Sequence, residues 1–245
     1  MQGIGGKVIA ITGASSGIGR ATATLLAEHG ARLVLGARRA EGLETLADDI
    51  AGAAERPLVV AMDVTRREDV ARLVTGACER FGRLDVFVSN AGIGPISPLD
   101  DLRVEDWEAM IDVNLKGPLY GIAAALPVFR RQASGQFVNI LSTAGLTIRP
   151  TMAVYAGTKQ AMRAVAEGLR QEAGPNLRVT NVSPGYVRTD FARSMTDQAL
   201  RADIEARMGD IAIGPDAIAR AVAFAIAQPA DVDVGDIVVR PTAQG

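Results

Sequence analysis

Two patterns alternate along the chain: short, largely apolar runs, and longer stretches in which apolar residues recur every three to four positions. The runs 8–11, 32–37, 58–62, 86–89, 136–141, 178–182 and 236–239 read as strands buried on both faces. Helical spacing fills 18–29, 41–51, 67–81, 106–131, 154–172, 197–208 and 215–227. In the first helix Ala21, Leu25 and Leu26 are expected to share the buried face. Pro127 falls inside the long stretch 106–131, where it is tolerated near the end or kinks the helix, and Pro215 suits a first turn. The stretch 197–208 is charged and weakly apolar. This alternation predicts an α/β fold: a doubly wound (Rossmann) parallel seven-stranded sheet with helices on both faces, as a single domain over 1–245. Right-handed crossovers place ligands at the carboxyl ends of its strands. The sequence shows no repeat, low-complexity tract or second domain.

The residues that follow each strand therefore matter most. After the first come Gly13, Ser15, Ser16, Gly17, Ile18 and Gly19, a glycine loop running into a helix. A helix start offers free N–H groups and partial positive charge, and glycines let a backbone approach a pyrophosphate. The spacing is G-x-x-x-G-x-G; the alternative is a tight strand-to-helix turn with no ligand. After the second strand, where dinucleotide folds often carry an acid for the ribose hydroxyls, stand Ala37, Arg38 and Arg39. Arginine pairs well with a 2′-phosphate, so NADP is the expected cofactor, against a merely solvated basic turn. Ala37 and Arg38 are both expected at a solvent-facing turn. After the third strand, Asp63 and Val64 leave two readings open: acceptance from an adenine amino group, or capping of the next helix. After the fourth come Asn90, Ala91 and Gly92, small enough for close passage of a cofactor.

The net charge of −2 argues against a nucleic-acid surface. One cysteine, Cys78, excludes an internal disulfide and a thiolate metal cluster; one histidine, His29, at the end of the first helix, nearly excludes a histidine triad or multi-histidine metal site. No apolar run is long enough to span a membrane, and residues 1–7 lack a signal-peptide core. A cytoplasmic protein is expected.

Tyr155 and Lys159, spaced i and i+4, share a helix face, and Ser142 follows the fifth strand. A free tyrosine has a pKa of about 10; a nearby ammonium favours the phenolate. Lowering that pKa by about 3 units needs about 4 kcal/mol of differential interaction, which lysine and a cationic cofactor ring could supply. Tyr155 would then act as general acid/base and Ser142 would hold the substrate oxygen. Alone, such a pair is an ordinary surface contact; the glycine loop makes it chemical.

Together these residues resemble the short-chain dehydrogenase/reductase family, in its single-domain branch of about 250 residues, over nearly the whole chain. Thr12-Gly13-x-x-x-Gly17-Ile18-Gly19 looks like its cofactor motif and Asn90-Ala91-Gly92 like its Asn-Ala-Gly turn, with Ser89 where many members carry a second Asn. Asn114, Ser142, Tyr155 and Lys159 match its catalytic tetrad; Pro184 and Gly185, with Val187 and Thr189, match the segment over the nicotinamide. The resemblance implies that Tyr155 exchanges a proton with the substrate oxygen and that Lys159 binds the nicotinamide ribose and lowers the Tyr155 pKa. It also implies that Ser142 orients substrate and that Asn114, in a local break of the long helix, holds a relay water. The ending 237–244 resembles a sub-branch with clavulanate-type aldehyde reductases and 3-hydroxy acid dehydrogenases.

The expected activity is NADP-dependent hydride transfer on a small-molecule carbonyl or a primary or secondary alcohol, beneath a lid at about 186–210. A 3-oxoacyl-carrier-protein reductase shares every catalytic residue; Arg130 and Arg131 are the one modest basic candidate for its carrier. A non-catalytic dinucleotide sensor would not need the tetrad. Neither nucleic acid nor membrane is an expected partner. A homodimer or homotetramer is, because the helices from Asp106 and Val154 are apolar on more than one face.

Overall fold

The structure, a computed structural model, describes residues 3–52 and 54–244. Met1, Gln2, Ala53 and Gly245 lie outside them, and with them part of the 1–7 leader reading and the ends of the 1–245 domain. Seven strands, β1 (Val8–Thr12), β2 (Arg32–Ala37), β3 (Leu58–Ala61), β4 (Val86–Ser89), β5 (Gly135–Ile140), β6 (Leu177–Pro184) and β7 (Asp236–Val239), form one sheet in the order β3-β2-β1-β4-β5-β6-β7. Every neighbouring pair is parallel. Chain order reverses between β1 and β4, which opens a crevice at their carboxyl ends.

Side chains alternate across the sheet. Ile9, Ile11, Leu33, Leu35, Val86, Val88 and Val138 point into one core under α1 (Gly17–Glu28), α2 (Ala40–Ala51) and α8 (Pro215–Ala227). Val8, Ala10, Val34, Phe87, Phe137 and Val179 point into the other, under α3 (Arg67–Phe81), α5 (Gly117–Gln132) and α6 (Ala153–Ala173). Tilted and edge-on contacts join Phe87, Phe137 and Phe129 there. A third cluster, with Ile96, Met110, Tyr155, Met195, Ile204 and Met208, lies under α7 (Gln198–Ile211) above the strand ends. No helix among the described residues is long and apolar enough to cross a membrane.

Several expectations shift. The buried stripe of α1 is Gly19, Thr22, Ala23, Leu26 and Ala27; Ala21 and Leu25 lie at its margin, because α1 packs against α8 as well as the sheet. His29 caps the end of that helix. The expected helix 106–131 is two, α4 (Val104–Ile111) and α5, joined by a π turn at Asp112–Lys116. Pro118 explains the break, since it has no N–H to give the Asn114 carbonyl four residues back. Pro127, by contrast, is accommodated within α5. Strand β6 runs two residues past its expected end, to Pro184. Short 3-10 turns at Thr143–Gly145 and Asp190–Ser194 carry no apolar period and were not legible.

Candidate active site

Thr12 and Asn90 stitch the crevice together. The Asn90 side-chain amide donates to the carbonyls of Thr12 (2.9 Å) and Gly13 (3.1 Å), and the backbone N–H groups of Asn90 and Ala91 donate to Thr12 Oγ1. Gly13 takes φ +65°, and a Cβ on it would come within 2.8 Å of Ala91 Cα. Gly19 has no room for a side chain either, since a Cβ would overlap the Gly13 carbonyl oxygen and Asn90 Nδ2. The loop is thus compressed against β4, and α1 starts at its rim, with no side chain capping the first turn.

A cavity of about 950 Å³ extends from this loop. Gly13, Ser15, Ser16, Gly17, Ile18, Arg38, Arg39, Asp63 and Val64 line one end. Asn90, Ala91, Gly92, Pro184, Gly185, Val187 and Thr189 line its middle, and Ser142, Tyr155 and Lys159 its far end. Of the residues singled out in the sequence, only Gly19 and Asn114 are off the wall. Gly19 supports the loop from beneath, and Asn114, almost fully buried, stands behind Ile93.

Arg38 and Arg39 are exposed at the end of β2 and form no ion pair among the described residues. Ala37 departs from expectation: it is buried in the sheet core, 8% exposed, not at a solvent-facing turn. Asp63 does not cap the next helix, whose N-cap is Arg66; its Oδ1 accepts from the N–H and hydroxyl of Thr65 at 2.9 and 2.8 Å, in the turn before α3. It also borders the cavity.

At the far end, Ser142 Oγ accepts from Ala144 N–H (3.1 Å) and is hydrogen-bonded to the Tyr155 hydroxyl. Lys159 Nζ donates to the Ile140 carbonyl (3.1 Å) and sits 5.8 Å from the Tyr155 ring centroid. Gly92 keeps the way to Nζ open, as a Cβ there would lie 3.5 Å from it. Burial pushes the Tyr155 phenol up to about 12, with the Ser142 hydrogen bond pulling the other way. Burial also pushes Lys159 down to about 8. Desolvation thus works against the lowering expected from Lys159 and a cationic cofactor ring. Asn114 stands in the π turn, the local break of the long helix expected of it. Its side chain is spent on protein: Oδ1 accepts from Ile93 N–H (2.9 Å), and Nδ2 donates to the Ile93 carbonyl (2.8 Å) and to Thr158 Oγ1 (3.3 Å).

A family model described as short chain dehydrogenase matches residues 7–200. The chain belongs to the short-chain dehydrogenase/reductase family. An uncharacterized oxidoreductase of Staphylococcus saprophyticus is 45% identical over 100% of this chain and 99% of its own. Among solved members, an alcohol dehydrogenase from Thermococcus sibiricus complexed with 5-hydroxy-NADP shares 33% identity over 98% of each chain, with a TM-score of 0.86. A short-chain dehydrogenase/reductase from Burkholderia phymatum in complex with NAD shares 28% over 97% of this chain and 90% of its own, with a TM-score of 0.89.

Within this short-chain dehydrogenase frame, two residues escaped sequence reasoning as site residues. Gln244 Oε1 accepts from Tyr186 N–H (3.0 Å) and its Nε2 donates to Thr143 Oγ1 (3.3 Å), so the chain end braces the residue beside Ser142. Phe191 lies 5.5 Å from the Tyr155 ring, tilted by 59°. Neither has a local signature; Pro118, which marks the Asn114 break, did.

Proposed function

We propose that this member is a cytoplasmic NADP-dependent oxidoreductase that moves a hydride between nicotinamide and a carbonyl, or a primary or secondary alcohol, of a small, weakly polar molecule. The observation that carries the reading is one cavity that joins the Tyr155–Ser142 hydrogen bond and buried Lys159 to the glycine loop and Arg38. The residues fit a dinucleotide. Gly13 and Gly19 leave backbone where a Cβ would stand, and among the described residues no side chain caps the α1 start and no ion pair engages the arginines at the β2 end. Gly13, Ser15, Ser16, Gly17 and Ile18, with Asn90, Ala91 and Thr189, would hold the phosphates and riboses. Arg38 and Arg39 would take the 2′-phosphate, Asp63 and Val64 the adenine, and Gly92, Pro184, Gly185 and Val187 the nicotinamide end. When bound, the nicotinamide supplies the hydride and, oxidised, a positive charge.

The chain's own residues manage the proton. With its pKa at about 12, Tyr155 is a phenol at neutral pH and donates to the oxygen of a carbonyl as negative charge develops there. The Ser142 hydroxyl binds that same oxygen and steadies it. Lys159, charged below about 8, stabilises the phenolate that Tyr155 becomes. Asn114 acts at one remove: it fixes Ile93 and, through Thr158, the turn that bears Tyr155. Of the two carrier candidates, Arg130 is hydrogen-bonded to the Glu172 and Ala173 carbonyls at the end of α6, and Arg131 is exposed.

The same reading includes a homodimer or homotetramer. Ile111 and Leu119 around the π turn, and Phe224 and Val238 at the β7 edge, expose large apolar side chains that a second copy would cover. The expected contribution of α6 is not apparent, as no large apolar side chain on it is exposed among the described residues. The test is a panel of aldehydes, ketones and keto esters read by NADPH oxidation, with light scattering at micromolar concentration alongside. Turnover of a neutral carbonyl supports the reading; no NADPH oxidation across the panel contradicts it, and a monomer contradicts the assembly.

A further inference from the structure

The segment that follows Thr189 is fastened to the end of β4 by side chains. Thr189 Oγ1 accepts from Phe191 N–H (3.3 Å) and starts the 3-10 turn Asp190–Ser194. Ser194, at its end, donates its hydroxyl proton to the Phe191 carbonyl (2.8 Å) and accepts from Gly94 N–H (3.0 Å). Further along, Arg103 donates to Thr196 Oγ1 (2.8 Å), and Thr196 donates to Asp106 Oδ2 (2.6 Å), tying the segment to α4. Its base is closed where Val187 and Ile213 pair as a parallel bridge.

Held this way, the Phe191 ring drops into a notch over Gly94. A Cβ on residue 94 would stand 2.9 Å from both Phe191 Cε1 and Cε2, and closer still to Cζ. The floor of the notch is rigid, because the Asn114 amide grips both backbone groups of Ile93 next door. The ring therefore rests against Tyr155 at one fixed position, on the wall of the cavity that holds the Tyr155 hydroxyl.

We infer that Phe191, seated by the Gly94 notch and the Ser194 latch, is a specificity-determining residue. Its ring sets the width of the cavity beside Tyr155 and selects carbonyl compounds by the bulk of the substituent on that side. The kinetic side of this inference rests on the oxidoreductase reading above; the latch itself does not. A ring removed from an apolar wall leaves space worth far more than one methylene, and a single methylene in such a pocket already discriminates about 10- to 200-fold.

The experiment compares wild type with Phe191→Ala, Gly94→Ala, the double variant and Ser194→Ala. KM and kcat are measured separately for a small aliphatic aldehyde and a bulky aryl ketone with NADPH. Phe191→Ala should raise the ratio of kcat/KM, bulky over small, by at least tenfold, chiefly through KM of the ketone. Gly94→Ala should lower kcat/KM on both by at least tenfold by forcing the ring out of its notch, and the double variant should recover that loss on the ketone. An unchanged ratio in Phe191→Ala overturns the wall. Hydrogen exchange of the Gly94 amide, followed without substrate, reads the latch independently. It should accelerate at least tenfold in Ser194→Ala and in Phe191→Ala, and unchanged exchange overturns the latch. If wild type reduces neither carbonyl, the oxidoreductase reading fails, while the exchange rates still decide whether Phe191 is seated as described.

Discussion

Around the end of β1 the cavity wall is backbone: Gly13 lies against Ala91, Gly19 against Gly13, and Asn90 spans the carbonyls between them. Around residues 186–213 the wall is side chains that reach across the fold, with Ser194 on Gly94, Thr196 on Asp106, Phe191 on Tyr155 and Gln244 on Tyr186. The first kind of wall has no room for a side chain at Gly13 or Gly19 without strain. The second can be altered one side chain at a time without disturbing the sheet. That contrast explains how one scaffold keeps a fixed dinucleotide end and a variable substrate end.

The largest effect expected is at the meeting point of the two walls. Tyr155→Phe keeps the ring that packs on Phe191 and removes only the transferable proton. We expect kcat to fall at least about 100-fold, within the usual range for a general acid–base group, while dinucleotide affinity stays within about twofold. Near-normal turnover would remove Tyr155 from the chemistry. In wild type, kcat/KM for carbonyl reduction should be highest below pH about 8, where Tyr155 holds its proton and Lys159 its charge, and decline above it. A flat profile from pH 6 to 10 would contradict this pairing.

Lys159→Met separates function from stability. The folded state holds Lys159 at about 8, below its ordinary 10.5, so the unfolded chain binds more protons between those values. Stability must then rise as pH climbs from 8 to 10.5, and the full cost of burying the charge, about 3 kcal/mol, is felt below 8. Losing the hydrogen bond to the Ile140 carbonyl offsets about 1 kcal/mol or more of the gain. The variant should be inactive yet melt about 2–8 °C higher at pH 7, with the gain shrinking towards pH 10.5. A lower Tm at pH 7 would show that the charge is not a burden to the fold.

Gly19→Ala tests the backbone wall. Its Cβ has no flexible side chain to push aside, only the Gly13 carbonyl and an Asn90 amide already holding β1 to β4. Overpacking of this kind costs about 1–3 kcal/mol of folding stability, so the variant should melt about 2–12 °C lower than wild type. An unchanged Tm would mean that the loop can yield.

The same contrast governs what the sequence reveals. The sheet, its strand ends and the loop from Gly13 to Gly19 depend on local patterns, namely apolar runs, glycine spacing and the i, i+4 pair of Tyr155 and Lys159, and all were legible. The break at Asn114 was expected from the family resemblance alone; its signal in the residues themselves is Pro118, overlooked beside Pro127. Phe191, Ser194 and Gln244 were not, because their partners lie 36, 100 and 58 residues away and no period announces them. Spacing shows that Tyr155 has a neighbouring cation, but only packing shows the desolvation that works against ionising it. Ala37 was read as the end of its strand but taken to face solvent, whereas the last residue of β2 still packs into the core.

The assignment of this chain as an NADP-dependent enzyme is tested most directly by kcat/KM for NADPH and for NADH on one carbonyl substrate, in wild type and in Arg38→Ala. Ala37 is left alone because a carboxylate there would be buried. A charge-assisted contact between an exposed Arg38 and a 2′-phosphate is worth about 1.5–3 kcal/mol. Wild type should therefore prefer NADPH by at least about tenfold, and Arg38→Ala should erase most of that preference while leaving kcat/KM for NADH within about twofold. Equal values for the two dinucleotides in wild type would contradict the account.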